Sequence, residues 1–229
     1  MKELKRPFVL IKSAISLDGC LDDTSDTRLI LSNEQDKNAV DALKSSFDAI
    51  FVGAETIRKD NPSLLIKSDI NIQNRIKNGM SEHPIKVTVT LSGNLNGKSR
   101  FFQEGKCEKI VYCPLSIEKE LKNKLNAVAT VVGIKTEKER INPVPLLQDL
   151  FLRGIKRLMI EGGSQMNSLF LSHSCVDALR IAIAPLFVGE EKAPKLTSEY
   201  LLGQKNIFLK LEKNETLGEM MVLNYSILR

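Results

Sequence analysis

The sequence predicts an α/β protein with three α/β/α layers and a mixed, mostly parallel central sheet. Short apolar runs of strand length alternate with segments of helical periodicity, which is typical of parallel strands covered by helices on both faces. Near the C-terminus two strand-like runs follow each other directly, which predicts an antiparallel hairpin and hence a mixed sheet. A chain of 229 residues can bury one large core, so we expect a single domain over residues 1–229.

The first two elements are predicted from contrasting patterns. Residues 8–16 (FVLIKSAIS) form a mostly apolar run of strand length. Residues 32–46 carry apolar side chains at helical spacing; Ser32 or Asn33 is available as the N-cap, and Gln35 is placed like a capping-box partner. We therefore expect a strand followed by a helix.

The rest of the chain continues this alternation. Ala49–Gly53 (AIFVG) is a continuous apolar run, typical of a central strand covered on both faces. Residues 67–84 are rich in Ser and Asn and predict a long loop-like connection. The closing strands, 207–212 and 219–227, are separated by KNETLG and predict the hairpin. Between the loop at 67–84 and the hairpin, we expect strands at 85–91, 109–113, 127–134, Arg157–Ile160 and 178–185, and helices at 116–125, 143–154 and Ser164–Ser172.

Composition narrows the class of protein. No apolar run approaches the roughly 20 residues of a membrane-spanning helix. The N-terminus has neither the apolar region nor the cleavage site of a secretory signal. The four cysteines form no C-x-x-C pair and there are only two histidines, so we expect reduced thiols and no metal site. These features predict a cytoplasmic protein that does not bind membranes.

The charge balance argues against a nucleic-acid-binding protein. There are 33 Lys and Arg against 28 Asp and Glu, a formal net charge of +5, and the two signs are interspersed. The sequence has no Trp and only 5% aromatic residues, so platforms for stacking bases would be sparse. A small positive excess is equally expected of an enzyme that binds a phosphorylated substrate and a dinucleotide.

The strongest local signal is LMIEGGSQMNS, residues 158–168. A buried strand ends at Glu161, Gly162 and Gly163 would let the backbone approach a ligand, and Ser164 can cap the next helix. The free N–H groups of a helix start attract phosphate, and ligands of α/β sheets bind at the carboxyl ends of strands. A tight turn before a helix is the ordinary alternative, and the stretch is not the G-x-G-x-x-G motif of dinucleotide-binding sheets.

Two further turns follow predicted strands. In VGAETIRKDNP, residues 52–62, a strand ends at Gly53, a short helical turn carries Thr56, and Asn-Pro after Asp60 forces a turn. Asp60 could serve only to cap that turn. The Ser-Leu-Asp-Gly of residues 16–19 follows the first strand and, taken alone, is only a turn.

In this order and spacing, the three turns resemble those of a known family. The chain resembles the pyrimidine reductases of riboflavin biosynthesis, which have the dihydrofolate-reductase-like fold. Each segment is weak alone, whereas the ordered set is specific and spans almost the whole chain. The resemblance is carried by AISLDG (14–19), FDAIFVG (47–53), Thr56, Asp-Asn-Pro (60–62), IEGG (160–163), Val-Asp (176–177), AIAPLFVG (182–189) and Ala-Pro (193–194).

The resemblance implies an activity and a set of site residues. The protein would reduce a 5-phosphoribosylamino-pyrimidine to its ribitylamino form with NADPH, and it would be a homodimer. The implied catalytic residues are Asp60 and Glu161. The implied substrate contacts are Thr27, Lys44, Leu64, Lys67 and Glu161, with the two lysines near the 5′-phosphate. The implied NADPH contacts are Ala14, Leu29, Gly53, Thr56, Asp60, Gly162, Gly163, Ser164, Gln165, Met166, Asn167 and Ser168.

Elementary chemistry agrees with these implied roles. A sugar phosphate needs a cation, and Lys44 and Lys67 supply point charges. The Glu161 carboxylate can accept hydrogen bonds from the amino or ring N–H groups of a pyrimidine. The ribosylamine would open to an imine, the cofactor would deliver hydride to the former anomeric carbon, and the nitrogen would take a proton. Either Asp60 or a bound water would supply that proton.

The chain departs from the family pattern in three ways. Asn61 stands where members often have a second Asp, Lys44 and Lys67 stand where many have Arg, and Thr90-Leu91-Ser92 replaces a common Asp-Ser pair. The lysines keep the charge but lose the bidentate geometry of Arg, and no cofactor-side serine is assigned. Many relatives carry a zinc deaminase domain ahead of the reductase; its H-x-E and P-C-x-x-C motifs are absent here, so we expect a stand-alone reductase.

Three alternatives stay open on the sequence. An enzyme of the same fold could reduce another heterocycle, such as a dihydrofolate-type substrate, and would not require Lys44 or Lys67. A non-catalytic relative would bind a nucleotide or a partner without turnover. An RNA-binding module is the weakest of the three. The residues leave both a deaminated and a still-aminated pyrimidine open as the substrate, and both NADPH and NADH as the reductant.

Overall fold

A computed structural model describes residues 5–137, 140–198 and 206–228 of the chain. These residues form two compact units. Unit 1 comprises residues 5–8 and 41–159, and unit 2 comprises residues 9–40 and 160–228, less the gaps just given.

The elements of the described residues alternate between strands and helices over most of the chain. The strands are β1 (Phe8–Ile15), β2 (Ala49–Gly53), β3 (Ile85–Val89), β4 (Lys109–Pro114), β5 (Thr130–Ile134), β6 (Thr136–Glu137), β7 (Arg140–Ile141), β8 (Arg157–Ile160), β9 (Ala178–Ile183), β10 (Leu209–Leu217) and β11 (Met220–Ile227). The helices are α1 (Glu34–Lys44), α2 (Ala54–Asp60), α3 (Asp69–Lys77), α4 (Arg100–Gln103), α5 (Leu115–Leu125), α6 (Pro143–Leu152) and α7 (Ser164–Ser172).

Unit 1 is built on strands in the order β8-β2-β3-β4-β5. The pairs β2/β3, β3/β4 and β4/β5 are all parallel. Every residue of β2 is buried, which confirms the prediction of a central strand from its continuous apolar run. The chain leaves β2 directly into α2, so α2 begins at the carboxyl end of a buried strand.

Unit 2 is built on strands in the order β10-β11-β9-β1. The pair β1/β9 is parallel, whereas β9/β11 and β10/β11 are antiparallel. The predicted mostly parallel, mixed sheet with a C-terminal hairpin is therefore confirmed. The hairpin turn lies at Gly218 and Glu219, and residues 213–217, predicted to separate the strands, instead belong to β10.

The prediction of a long loop over residues 67–84 is wrong, because α3 lies within it. Ser68 caps this helix by accepting a hydrogen bond from the N–H of Asn71. The inward-facing residue of α3 is Arg75, whose guanidinium is buried and donates to the carbonyl oxygen of Phe47 at 2.6 Å. Because α3 buries an arginine and exposes Ile70 and Ile76, no apolar stripe marks its inward face in the sequence.

The start of α1 decides between the two predicted caps. Asn33 is the N-cap, since its Oδ1 accepts from the N–H of Asp36 at 2.8 Å. Gln35 is not the capping-box partner, because Asp36 occupies the third helical position. The carboxylate of Asp36 instead pairs with Arg180 of β9, with 2.8 Å between Oδ1 and Nη2.

Three further properties of the described residues bear on function. They contain no helix long and apolar enough to cross a membrane. Within the same residues, no group of three or more His, Cys, Asp and Glu could hold a metal ion. Of the cysteines in these residues, Cys20, Cys107, Cys113 and Cys175 form no disulfide bond.

Candidate active site

The start of α7 is an open, glycine-lined helix terminus. Gly163 is the N-cap and has no side chain to cap the helix, so Ser164, predicted as the cap, is the first helical residue. A Cβ added to Gly163 would meet nothing within 4 Å, whereas one at Gly162 would lie 2.9 Å from Asn167 Oδ1. The helix thus starts without a side-chain cap at a residue that borders open space, and uncapped helix N-termini are a common place for phosphate groups to bind.

The predicted cofactor residues of α7 fall into two groups. Ser164, Gln165 and Met166 are half-buried or exposed at the helix start, where a ligand can reach them. Asn167 and Ser168 are completely buried. Because these two side chains face the interior of unit 2, their contact with a cofactor stays a prediction.

Asn167 and Ser168 hold the segment 196–198 against α7. Asn167 Nδ2 donates to the carbonyl oxygen of Leu196 at 2.9 Å and lies 3.4 Å from Ser13 Oγ on β1. The N–H of Ser198 donates to Ser168 Oγ at 2.8 Å. The buried part of the predicted phosphate-binding helix is thus tied both to β1 and to a loop that returns from β9.

Unit 2 also brings Ala14 and Leu29 together. Both pack, half-buried, against the apolar cluster formed by Leu31, Ala182, Ala184, Met220 and Val222. The N–H of Leu29 donates to Asp22 Oδ1 at 2.8 Å, which holds the loop that follows β1. Thr27 lies exposed in this loop.

Asp18 joins two turns of unit 2, although the sequence predicted only a turn at this position. Its carboxylate accepts from the N–H groups of Gly189 at 2.8 Å and Val188 at 3.1 Å, and from the hydroxyl of Ser16. The Ser16 hydrogen bond, followed by those two backbone bonds, lowers the pKa of Asp18 well below its usual range. The carboxylate therefore joins the turn after β1 to the turn after β9, and the only sequence signal for this was the Asp of Ser-Leu-Asp-Gly.

In unit 1, three predicted residues lie at the end of β2 and along α2, the helix that follows it. Gly53 ends β2 and is the N-cap of α2, Thr56 lies half-buried in the first turn, and Asp60 ends the helix half-buried. Asn61 is the C-cap with a left-handed φ of 44°, and its Oδ1 accepts from the N–H of Arg100 at 2.8 Å. Asn61 thus ends α2 and holds the backbone at Arg100, at a position where family members often have a second acid.

Of the predicted substrate residues of unit 1, Lys44 lies on α1, and Leu64 and Lys67 lie in the segment between α2 and α3. Leu64 is buried with a φ of 58°, a conformation that is rare and strained for a branched side chain. Lys67 is exposed just before α3, and Lys44 is the last residue of α1. The carboxylate of Asp41, on α1, accepts from the N–H of Lys67 at 2.7 Å and so joins α1 to that segment.

Comparison with known proteins gives the fold and the family. Residues 7–223 match the model of the RibD C-terminal domain. A 2,5-diamino-6-ribosylamino-4(3H)-pyrimidinone 5′-phosphate reductase of Archaeoglobus fulgidus is 32% identical over 93% of this chain and 95% of its own. A protein of the same name from Methanothermobacter thermautotrophicus is 30% identical over 97% and 99%. The structure of a pyrimidine reductase-like protein of Corynebacterium diphtheriae superimposes with a TM-score of 0.83 at 24% identity, over 97% of this chain and 92% of that one.

The fold and the glycine-lined helix start define an α/β protein with an uncapped helix N-terminus at the carboxyl end of a strand, the place where ligands of such sheets bind. The matches then identify it more closely: the chain belongs to the RibD C-terminal domain family. The resemblance inferred from the ordered turns is confirmed.

Proposed function

We propose that this protein reduces 2,5-diamino-6-ribosylamino-4(3H)-pyrimidinone 5′-phosphate to its ribitylamino form, with NADPH as reductant, in riboflavin biosynthesis. The observation that carries the proposal is the match over nearly the full length of two relatives named as reductases of this compound. Those names retain both amino groups of the pyrimidine, which favours the still-aminated substrate over the deaminated one.

The start of α7 fits a dinucleotide cofactor. Its first turn has no side-chain cap and Gly163 borders open space, and both features suit a pyrophosphate. Ala14, Leu29, Gly53, Thr56 and Asp60 are the other residues that we expect to line the cofactor. When bound, the cofactor supplies a hydride, and the protein supplies alignment and a proton.

The substrate's charged and polar groups match the remaining residues. Lys44 and Lys67 would hold the 5′-phosphate. The Glu161 carboxylate would accept hydrogen bonds from the amino or ring N–H groups of the pyrimidine, and Thr27 and Leu64 would complete the contacts. Asp60, or a water that it holds, would give a proton to the amine nitrogen after the sugar ring has opened and its former anomeric carbon has been reduced.

The direct test is NADPH oxidation by the purified protein, offered the aminated and the deaminated ribosylamino-pyrimidine phosphates separately, with NADH in parallel. We expect turnover of the aminated compound with NADPH. Turnover of only the deaminated compound would overturn the assignment of substrate. Reduction of a dihydrofolate-type compound instead, with no response to Lys44→Gln or Lys67→Gln, would favour the alternative enzyme, and NADPH binding without turnover would favour a non-catalytic relative.

We further propose that residues 1–229 act as one reductase domain in the cytoplasm and that the protein is a homodimer. Among the described residues, β10 is an edge strand and exposes Leu209 and Leu211, and apolar side chains exposed at a sheet edge favour association with a second copy. Sedimentation of the wild type should give a dimer, and Leu211→Lys should give a monomer. Leu152→Lys, at an exposed apolar residue of α6, is the matched control and should leave the dimer intact.

A further inference from the structure

Helices α1 and α3 hold each other at opposite ends. Asp41 of α1 accepts hydrogen bonds at the start of α3, from the N–H of Ser68 at 3.1 Å and from Asn71 Nδ2 at 2.9 Å. At the other end, Arg75 of α3 donates to the carbonyl oxygens of Ser45 at 3.1 Å and Phe47 at 2.6 Å, just beyond α1. A carboxylate thus meets a helix N-terminus and a guanidinium meets a helix C-terminus, which are the two favourable arrangements.

Asp41 lies beside the start of α3, where it accepts from the backbone N–H groups of Lys67 and Ser68. Burial raises its pKa, but the hydrogen bonds from Asn71, Lys67 and Ser68 outweigh burial and lower the pKa below its usual value. The group is therefore an ionised carboxylate at neutral pH. A negative charge close to a phosphate site weakens phosphate binding, so its presence there calls for a compensating role.

The compensating role follows from what Asp41 holds. Lys44 lies three residues after Asp41, hence on the same face of α1, and close enough to lower the pKa of that carboxyl. Lys67 is held through its own backbone N–H at 2.7 Å. The carboxylate therefore holds the backbone of Lys67 beside α1, the helix that carries Lys44.

The other end of the Lys67 segment is also fixed. Leu64 and Ile66 are buried in unit 1, and Leu64 adopts a φ of 58°. A strained residue persists only where the surroundings hold it, so the segment 64–68 depends on attachments at both of its ends. The apolar attachment is at Leu64 and Ile66, and the polar one is at Asp41.

We propose that Asp41 is a positioning residue of the substrate site, which holds Lys44 and Lys67 side by side so that their ammonium groups bind one phosphate of a sugar phosphate. This inference rests on the proposed function, because it takes the substrate's 5′-phosphate as the group that the two lysines bind. Asp41 itself does not touch the phosphate.

The test compares Asp41→Ala and Asp41→Asn with Asp48→Ala. Asp48 is a matched control, since its carboxylate also accepts two backbone N–H groups, from Lys156 at 2.7 Å and Arg157 at 2.8 Å, and no role in the site is assigned to it. For each protein KM and kcat are measured with the phosphorylated substrate and with its dephosphorylated analogue. Ribose 5-phosphate is titrated in parallel, with calorimetric detection.

We expect Asp41→Ala to raise KM for the phosphorylated substrate by about tenfold, with kcat changed by less than about twofold. The kcat/KM for the dephosphorylated analogue should not change. Asp41→Asn should recover part of the affinity, because its amide oxygen still accepts from one N–H. Asp48→Ala should change neither the KM for the phosphorylated substrate nor the kcat/KM for the dephosphorylated analogue, although it lowers the free energy of unfolding.

Two outcomes would overturn the inference. One is an equal loss of kcat/KM for the phosphorylated and dephosphorylated compounds in both Asp41 variants, and the other is a KM for Asp41→Asn and Asp41→Ala no different from that of Asp48→Ala. If the wild type fails to reduce the pyrimidine, the proposed function fails. The ribose 5-phosphate titration then decides the role of Asp41 alone, since weaker binding by Asp41→Asn supports it and unchanged binding refutes it.

Discussion

At the scale of single residues, Asp36 and Arg180 form an ion pair that is almost completely buried. Their side chains are 0% and 5% exposed. The attraction between two buried charges offsets the loss of hydration only while both are present. The pair also joins α1 to β9 within unit 2. Its loss would therefore weaken the packing of α1 against the sheet of that unit as well as remove an ion pair.

Asp36→Asn should therefore lower the free energy of unfolding by about 3–5 kcal/mol, because it leaves the Arg180 charge buried without compensation. Asp36→Leu combined with Arg180→Met should regain most of that loss, since no buried charge remains. Urea denaturation measures both. Glu34→Gln is the control, as the exposed pair of Glu34 with Lys37 is worth less than about 1 kcal/mol. An Asp36→Asn loss no larger than the control's would contradict the prediction.

Lys86 is a second buried charge, and it should make stability depend on pH. Its ammonium donates to the carbonyl oxygens of Phe101 at 3.0 Å and Glu104 at 2.7 Å, and burial lowers its pKa to about 8. Since the folded-state pKa lies below the unfolded value, the unfolded chain binds more protons in the interval between them. Stability from this group therefore rises from about pH 8 to about pH 10.5 and is lower below that window.

The corresponding measurement is the difference in free energy of unfolding between the wild type and Lys86→Met at two pH values. From about pH 7.5 to about pH 9.5 the difference should shift in favour of the wild type by about 2 kcal/mol. The variant removes the titrating group, so titrations elsewhere in the protein cancel in the comparison. A difference that stays constant with pH would show that Lys86 keeps an ordinary pKa in the folded state.

At the scale of elements, α7 combines an open start with a buried attachment to residues 196–198. Ser168→Ala would leave the N–H of Ser198 without its acceptor, at a cost of about 1–2 kcal/mol. Amide hydrogen exchange over residues 196–198 should become faster. Ser172→Ala, at the other end of α7, removes a hydroxyl that donates to the carbonyl oxygen of Leu169 and should cost less than about 0.5 kcal/mol. Unchanged exchange in Ser168→Ala would mean that this segment is held by other contacts.

The elements differ in how well the sequence predicts them, and the difference has a physical cause. Ala49–Gly53, Arg157–Ile160 and Ser164–Ser172 have the predicted bounds, because a continuous apolar run or a Gly-Gly turn marks them locally. The helix α3 was missed because it buries an arginine instead of an apolar stripe. The short α4 was missed as well, since four residues are too few to establish a period.

The site shows the same division between local and distant signals. The start of α7 and the turn at Asp60 follow from residues that are adjacent in the chain. The roles of Asp18 and Asp41 depend on partners 171 and 26 residues away, and a single sequence does not pair such residues. The family was recognisable because its signal is the order of several local turns, each of which a single sequence does display.

At the scale of the whole molecule, the boundaries between the two units fall inside regular elements. They lie within β1, between Phe8 and Val9, and within α1 and β8 at residues 40–41 and 159–160. Each unit is thus made of two separate segments of the chain. Unfolding of either unit disrupts a strand or helix that the other also needs, and such coupling favours a single cooperative transition.

Thermal unfolding of the wild type should accordingly give one transition with equal calorimetric and van't Hoff enthalpies. Asp36→Asn changes unit 2 and Lys86→Met changes unit 1, and both should lower the midpoint of that same transition without splitting it. Two transitions, each moved by only one of the variants, would contradict the single domain proposed for residues 1–229. Because the two variants lie in different units, a shared shift is evidence of coupling that neither variant could provide alone.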